Sequence, residues 1–149
     1  MAISTTLKKA IGKPTDPVTF EIERNQIRRF ARAIGETGAI YFDEKVAKSA
    51  GYPALVAPPT FPSALQDYET LLERIEVNAN ATMHAEEEYE YFKPIFAGDT
   101  VVVTHTVVDA YEKDAPRGRL VFVVVETRGN DKRSKPLFKA RRVLVEVGK

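Results

Sequence analysis

An α+β fold, an antiparallel sheet wrapped around a long central helix, is predicted by three observations. The first is a change of period. Apolar residues recur at spacings of four and three through Phe61, Leu65, Tyr68, Leu72 and Ile75, and after residue 80 the chain alternates with period two. The second is a succession of four β-rich runs broken by Gly- and Asp-containing turns, the order of hairpins rather than of helical crossovers. The third is size. At 149 residues, 44% hydrophobic and 29% charged, the chain suffices for one domain, residues 1–149, with its own core. No internal repeat or low-complexity linker divides it.

The elements follow in order. The first residues form a leading arm that ends at Pro14 and Pro17. Val18-Thr19-Phe20-Glu21-Ile22 alternates and is β-rich, which predicts a short strand. Asn25 can cap a helix with Ile27, Phe30 and Ile34 on one face, closed by Gly35. Asp43 can cap a second helix with Val46, Ala47 and Ala50 inward, ended by Gly51 and Pro53. A third, buried helix is predicted over residues 60–75, with Thr60 as N-cap and Pro62 in the first turn. Its apolar stripe is flanked by Gln66, Asp67, Glu69, Glu73 and Arg74. His84–Phe92, Thr100–Tyr111, Arg119–Arg128 and Leu137–Val147 then read as strands, separated by Gly98-Asp99, Asp114–Gly118 and Gly129-Asn130-Asp131. With the first strand, the sheet has at least five.

Composition excludes several functions. Twenty-two basic residues against 21 acidic leave a net charge of +1, no field for nucleic acid or an anionic membrane. Without cysteine there are no disulfides, Fe–S sites or thiol catalysis, which fits a cytoplasmic protein. His84 and His105 lie far apart with no Cys or His beside them, so neither a metal site nor a cofactor is expected. His105, inside a Val-rich strand, reads as a hydrogen-bonded sheet residue. The leading MAISTTLKKAIGK lacks the apolar core of a signal peptide, and no apolar run is long enough to span a membrane.

The chemistry-bearing stretch is Phe30–Phe61, FARAIGETGAIYFDEKVAKSAGYPALVAPPTF. It resembles the active-site segment of the MaoC-like hydratases and dehydratases, which reads schematically G-D-x-N-P-I-H and, further on, A-H-G. Gly35 keeps the first Gly. Glu36 stands at the catalytic Asp, Tyr41 at the catalytic His, and Pro58-Pro59 at the His-Gly whose backbone N–H helps bind the thioester oxygen. Glu88-Tyr89-Glu90-Tyr91-Phe92-Lys93-Pro94 and Ala97-Gly98-Asp99-Thr100 are similar to the strand and turn that follow the central helix in that family. Ala57-Pro58-Pro59-Thr60-Phe61 and His84-Ala85-Glu86-Glu87 resemble a narrower group. It comprises the FAS1-like dehydratase N-terminal domain and the non-catalytic subunits of (3R)-hydroxyacyl-ACP dehydratases. The resemblance covers residues 16–147 and implies the hot-dog fold.

It also implies a chemistry whose groups have changed. Hydrating an enoyl thioester needs a carboxylate and an imidazole to move protons, and a backbone donor at the positive end of the central helix. Glu36 carries an extra methylene that moves its carboxylate by about an ångström. Tyr41 titrates near ~10 and is a poor proton shuttle at neutral pH. Pro59 has no N–H. The expectation is therefore a substrate-binding, non-catalytic subunit of a heteromeric (R)-specific 3-hydroxyacyl-thioester dehydratase or enoyl hydratase of fatty acid metabolism. Its substrate would be an acyl-CoA or acyl-ACP, and Thr60, Phe61, Leu65, Tyr68 and His84 would bind it. The partner would be a hot-dog subunit carrying the Asp/His pair, or a second copy in a homodimer. Three alternatives stay open: a site rewired around Glu36, Tyr41 or His84; a thioesterase using Glu36 or Asp67; and a non-enzymatic acyl-thioester binding module. Two basic spots, Lys132/Arg133/Lys135 and Lys139/Arg141/Arg142, read as solvated turn and strand faces, or as contacts to CoA phosphates or an acidic carrier.

Overall fold

The structure, a computed structural model, describes residues 3–66, 68–116 and 118–147. Five strands form one antiparallel sheet in the order β1-β3-β4-β5-β2. They are β1 (Val18–Glu21), β2 (Thr82–Tyr91), β3 (Thr100–Ala115), β4 (Gly118–Asn130) and β5 (Pro136–Val147). The long β3–β4 and β4–β5 hairpins build the centre, and β1 and β2 are left at the edges. Helices α1 (Thr5–Ala10), α2 (Arg24–Ala33), α3 (Glu44–Ser49) and α4 (Tyr68–Arg74) join them. This is the hot-dog arrangement, with strand positions as the alternation predicts. No helix among the described residues is long and apolar enough to cross a membrane.

Register fixes which side chains share the inner face, because directly opposed residues point the same way. One row across the sheet is Val103, Gly129, Phe138 and Tyr91; the next is His105, Thr127, Ala140 and Tyr89; the next is Val107, Val125, Arg142 and Glu87. The apolar members feed two clusters. Ile22, Ile27, Leu55, Phe61, Leu65, Val103 and Phe138 belong to the first. Leu7, Leu71, Leu72, Ile75, Val107, Val123, Val125 and Leu144 belong to the second.

The predicted continuous helix over 60–75 is corrected. Residues Phe61–Ala64 form a four-residue 3-10 turn, Leu65 leaves helical geometry at φ −101°, ψ 44°, and α4 begins only at Tyr68. Pro62 suits a first turn, but Thr60 makes no side-chain cap, and a four-residue turn does not propagate unaided. The break lets Phe61 and Leu65 enter the first cluster while Leu71, Leu72 and Ile75 enter the second. It has a cost at Gln66, whose two amide atoms are shielded from solvent with no hydrogen-bond partner among the described residues, an omission worth roughly 1–3 kcal/mol.

The helices before it differ in detail. The leading arm is not plain coil: Ser4 caps α1, Leu7 is buried, and the N–H groups of Gly12 and Thr15 bond to carbonyls of β3. Helix α2 begins after Glu23, two residues earlier than an Asn25 cap allows, and Asn25 instead accepts from Arg28. Ile27 and Ala31 are buried, while Ile34 is 47% exposed, because Gly35 at φ +75° turns the chain away just after it. Asp43 does cap α3 through the Lys45 and Val46 N–H groups. Only Ala47 of that helix is buried; Val46 and Ala50 face outward, since six residues present a single inner position.

Gly129 marks the tightest spot. A methyl there would overlap the ring of Phe138, coming within 2.6 Å of its Cζ, and that ring is core. Gly129→Ala is expected to destabilise the fold by about 1–3 kcal/mol through overpacking. A denaturation midpoint unchanged from wild type would contradict this packing.

Candidate functional site

A groove of about 340 Å³ opens between the loop following α2 and the far end of β2. Local structure builds it in steps. Gly35 ends α2, and the Glu36 N–H returns to the Ala31 carbonyl at 2.9 Å. A short 3-10 turn, Ala39–Tyr41, then sets Ile40 and Tyr41 on one wall. Val56 and Ala57 lie along the groove, held by bonds from Val56 N–H to the Ile40 carbonyl (3.3 Å) and from Ala57 N–H to the Ile95 carbonyl (2.8 Å). Tyr91 and Phe92 supply the opposite wall, with Tyr52 adding another ring. The Tyr91 hydroxyl donates to the Pro59 carbonyl at 2.6 Å, pinning the Pro-Pro corner onto β2. Burial pushes the Tyr91 pKa up, so the phenol keeps the proton it donates.

The three positions of changed chemistry gather here. Tyr41 and Pro59 both line the groove. Glu36 lies beside Tyr41: a Cβ on Gly38 would stand 3.0 Å from the Tyr41 ring and 3.9 Å from Glu36 Oε2. The Tyr41 hydroxyl is pushed above its ordinary value by burial first, then by the Glu36 carboxylate and Tyr52. At neutral pH it is a protonated phenol, a hydrogen-bond donor and not a base. Donors at the corner are scarce. Pro58 and Pro59 have no N–H, and those of Ala57 and Phe61 are engaged with the Ile95 and Pro58 carbonyls, the second at 2.9 Å. The 3-10 turn that follows has only four residues, and no continuous helix aims its positive end at this corner.

The other expected residues are distributed more widely. Phe61 and Leu65 are fully buried behind the groove, Phe61 edge-on to Phe30 at 5.4 Å between ring centres. Thr60 is exposed, and its carbonyl accepts from the Ser63 N–H at 3.0 Å. The Tyr68 side chain and Asp67 lie outside the described residues. His84 shares the inner face of β2 with Tyr91 but sits near the other end of the strand, roughly 20 Å away at ~3.3 Å per residue. There it joins a polar cluster. A bulge at Ala85 brings His84 and Glu87 onto the same face, with His84 Nε2 3.3 Å from the Glu87 carboxylate. Glu87 also pairs with Arg142, whose Nε lies 3.1 Å from Glu87 Oε1. Burial, followed by a bond to Glu87, raises the Tyr89 pKa above its usual range. His105 is a buried sheet residue whose Nδ1 lies 2.8 Å from the Thr127 hydroxyl.

Sequence reasoning missed Ile40, Tyr52, Val56, Tyr91 and Phe92 as groove residues. Tyr89 and Tyr91 at period two on a predicted strand were a usable signal. The rest come from irregular loops, where no periodicity tells which way a side chain points.

Residues 9–140 match the family described as FAS1-like, dehydratase domain region. The chain belongs to that family. Among its relatives, a UPF0336 protein of Streptomyces avermitilis is 36% identical over 116 residues, covering 72% of this chain and 73% of that protein. One from Saccharopolyspora erythraea is 31% identical over 143 residues, covering 93% and 89%. Among solved structures, the C-terminally truncated HadBC (3R-hydroxyacyl-ACP dehydratase) complex of Mycobacterium tuberculosis superposes with a TM-score of 0.78. It is 26% identical, over 91% of this chain and 96% of that one. The ChsH1-ChsH2 complex of the same organism shares the fold at TM-score 0.73 and 17% identity, over 96% and 89% of the chains. The groove thus lies in a hot-dog domain of the FAS1-like dehydratase-region family, which supports a dehydratase-type function.

Proposed function

We propose that this chain is the acyl-binding, non-catalytic half of a heteromeric (R)-specific 3-hydroxyacyl-thioester dehydratase or enoyl hydratase. The observation that carries the reading is the groove: an apolar, aromatic trough in which Tyr41 and Pro59 stand where the resembled enzymes keep an imidazole and a backbone donor. A phenol held protonated cannot take a proton from water at neutral pH, and a proline cannot donate to an oxyanion. What remains suits holding an acyl chain. The neutral rings of Tyr52 and Tyr91 and the side chains of Ile40 and Val56 would shield it from water, with Phe61 and Leu65 packed behind them.

The Asp/His pair would come from a second hot-dog subunit. Strand β2 is an edge of the sheet, pairing only with β5, and an open edge invites strand addition. The HadBC and ChsH1-ChsH2 structures are complexes, which supports a partner in place of a chain acting alone.

The test is made in the mixed complex. Glu36→Ala and Tyr41→Phe are expected to change enoyl-thioester hydration by no more than about three-fold, well short of the ~10²–10⁴-fold due to a general acid–base group. Val56→Phe, which narrows the groove, is expected to shift preference toward shorter acyl chains. Loss of two or more orders of magnitude in Glu36→Ala would make Glu36 the base and this chain an enzyme in its own right.

A further inference from the structure

Next to the groove, and sharing Lys93 and Pro94 with it, is a second cavity of about 400 Å³. Its rim carries Lys93, Lys132, Arg133 and Lys135. The last three are displayed by the turn between β4 and β5, which is held by its own backbone. Asp131 Oδ1 accepts from the N–H groups of Arg133 (2.8 Å) and Lys135 (2.9 Å), and the Asp131 N–H bonds to the Lys135 carbonyl (2.8 Å). Lys93 is brought alongside by its N–H bond to the Leu137 carbonyl.

Two facts set these cations apart. Most cations elsewhere on the sheet are matched: Arg119 with Glu112 and Asp114, Arg128 and Lys139 with Glu126, Arg141 with Glu86, Arg142 with Glu87, while Lys113 stands over the Tyr111 and Phe122 rings. Among the described residues, none of the four rim cations forms such a pair. The cavity's two carboxylates offset part of this charge: Asp131 is held below the usual carboxylate range by the N–H groups of its turn and by the nearby Lys135 and Lys93, and Asp99 accepts from the Phe96 N–H at 2.8 Å. A chain of net charge +1 therefore gathers four cations against two carboxylates at a cavity that adjoins its apolar groove.

We infer that this cationic rim binds the phosphate of the pantetheine arm on which an acyl thioester is carried, while the arm's neutral part lies across Lys93-Pro94 and the acyl chain fills the groove. The inference rests on the acyl-binding reading above and adds to it a phosphate site on this chain. Exposed charges act weakly one by one and are screened by salt, so several must act together. A preformed turn presents three of them at once, with little ordering left to do on binding.

Binding of butyryl-CoA, butyryl-pantetheine and butyryl-acyl carrier protein to the purified full chain tests this by titration calorimetry. Wild type is expected to hold butyryl-CoA about ten-fold more tightly than phosphate-free butyryl-pantetheine at low salt, an advantage that shrinks as salt is raised. The variant combining Lys132→Ala, Arg133→Ala and Lys135→Ala is expected to lose that advantage, weaken on both phosphate-bearing thioesters, and bind butyryl-pantetheine as wild type does. Lys93→Ala alone should lose part of it, and a Lys8→Ala/Lys9→Ala control none. If butyryl-CoA and butyryl-pantetheine bind wild type equally, or the triple variant still discriminates, the phosphate site is refuted and the acyl groove stands. If only the carrier-protein thioester weakens, the cluster meets the carrier's surface and the phosphate assignment fails. If no thioester binds, the acyl-binding reading falls, and this site with it.

Discussion

Glu87→Ala is expected to lower the unfolding free energy by about 3 kcal/mol, the low end of what breaking a buried ion pair costs. The register sets Glu87, Arg142 and Val125 side by side on the inner face of the sheet, and Val125 belongs to the core. The Arg142 side chain is only 8% exposed and that of Glu87 15%. Removing the carboxylate takes away the guanidinium's charged partner in that setting, and takes a contact from His84 and a hydrogen bond from Tyr89 as well. Arg142→Met should cost a similar amount by stranding the carboxylate. The double variant Glu87→Met/Arg142→Met should recover most of the loss, because two apolar side chains leave no unpaired charge behind. Urea denaturation of the four proteins checks the cycle. Additive losses would show that the two residues act independently, contrary to the pairing described.

That network also shows where sequence reading stops. The strands of the sheet were legible because alternation and turn residues report them locally. Arg142 and Glu87 were each legible as strand residues of β5 and β2, but their pairing depends on register and on the bulge at Ala85. Nothing in the string His84-Ala85-Glu86-Glu87 announces that bulge. The helix over 60–75 failed for a related reason. Its apolar spacing was real, and Phe61, Leu65, Leu72 and Ile75 are all buried. The same spacing is satisfied by two short pieces, and the start at Thr60 has no side-chain cap. In α3, Val46 and Ala50 were expected inward on apolar character alone, and a two-turn surface helix has no need of them there. In the candidate site, Tyr41 and Pro59, singled out by their position along the family segment, line one groove. Tyr52, Val56 and Phe92 reach it through loop conformations that carry no periodic trace.

The account turns on what Tyr41 and Pro59 can no longer do. General acid–base catalysis contributes roughly 10²–10⁴-fold, and one oxyanion donor a further ~10²–10³-fold. These effects are not strictly additive, but losing both leaves little. The groove keeps its walls: Tyr91 still pins the corner at Pro59, and the backbone bonds at Val56 and Ala57 still hold the trough open. On the proposed reading the chain binds without turnover. The direct measurement is crotonyl-CoA hydration by the purified chain alone, by a hot-dog partner carrying the Asp and His, and by the two co-expressed. The prediction is no measurable rate for the chain alone, and for the mixed complex a rate at least about 10²-fold above it that responds to groove variants such as Val56→Phe. Rapid hydration by the chain alone, abolished by Glu36→Ala, would contradict it.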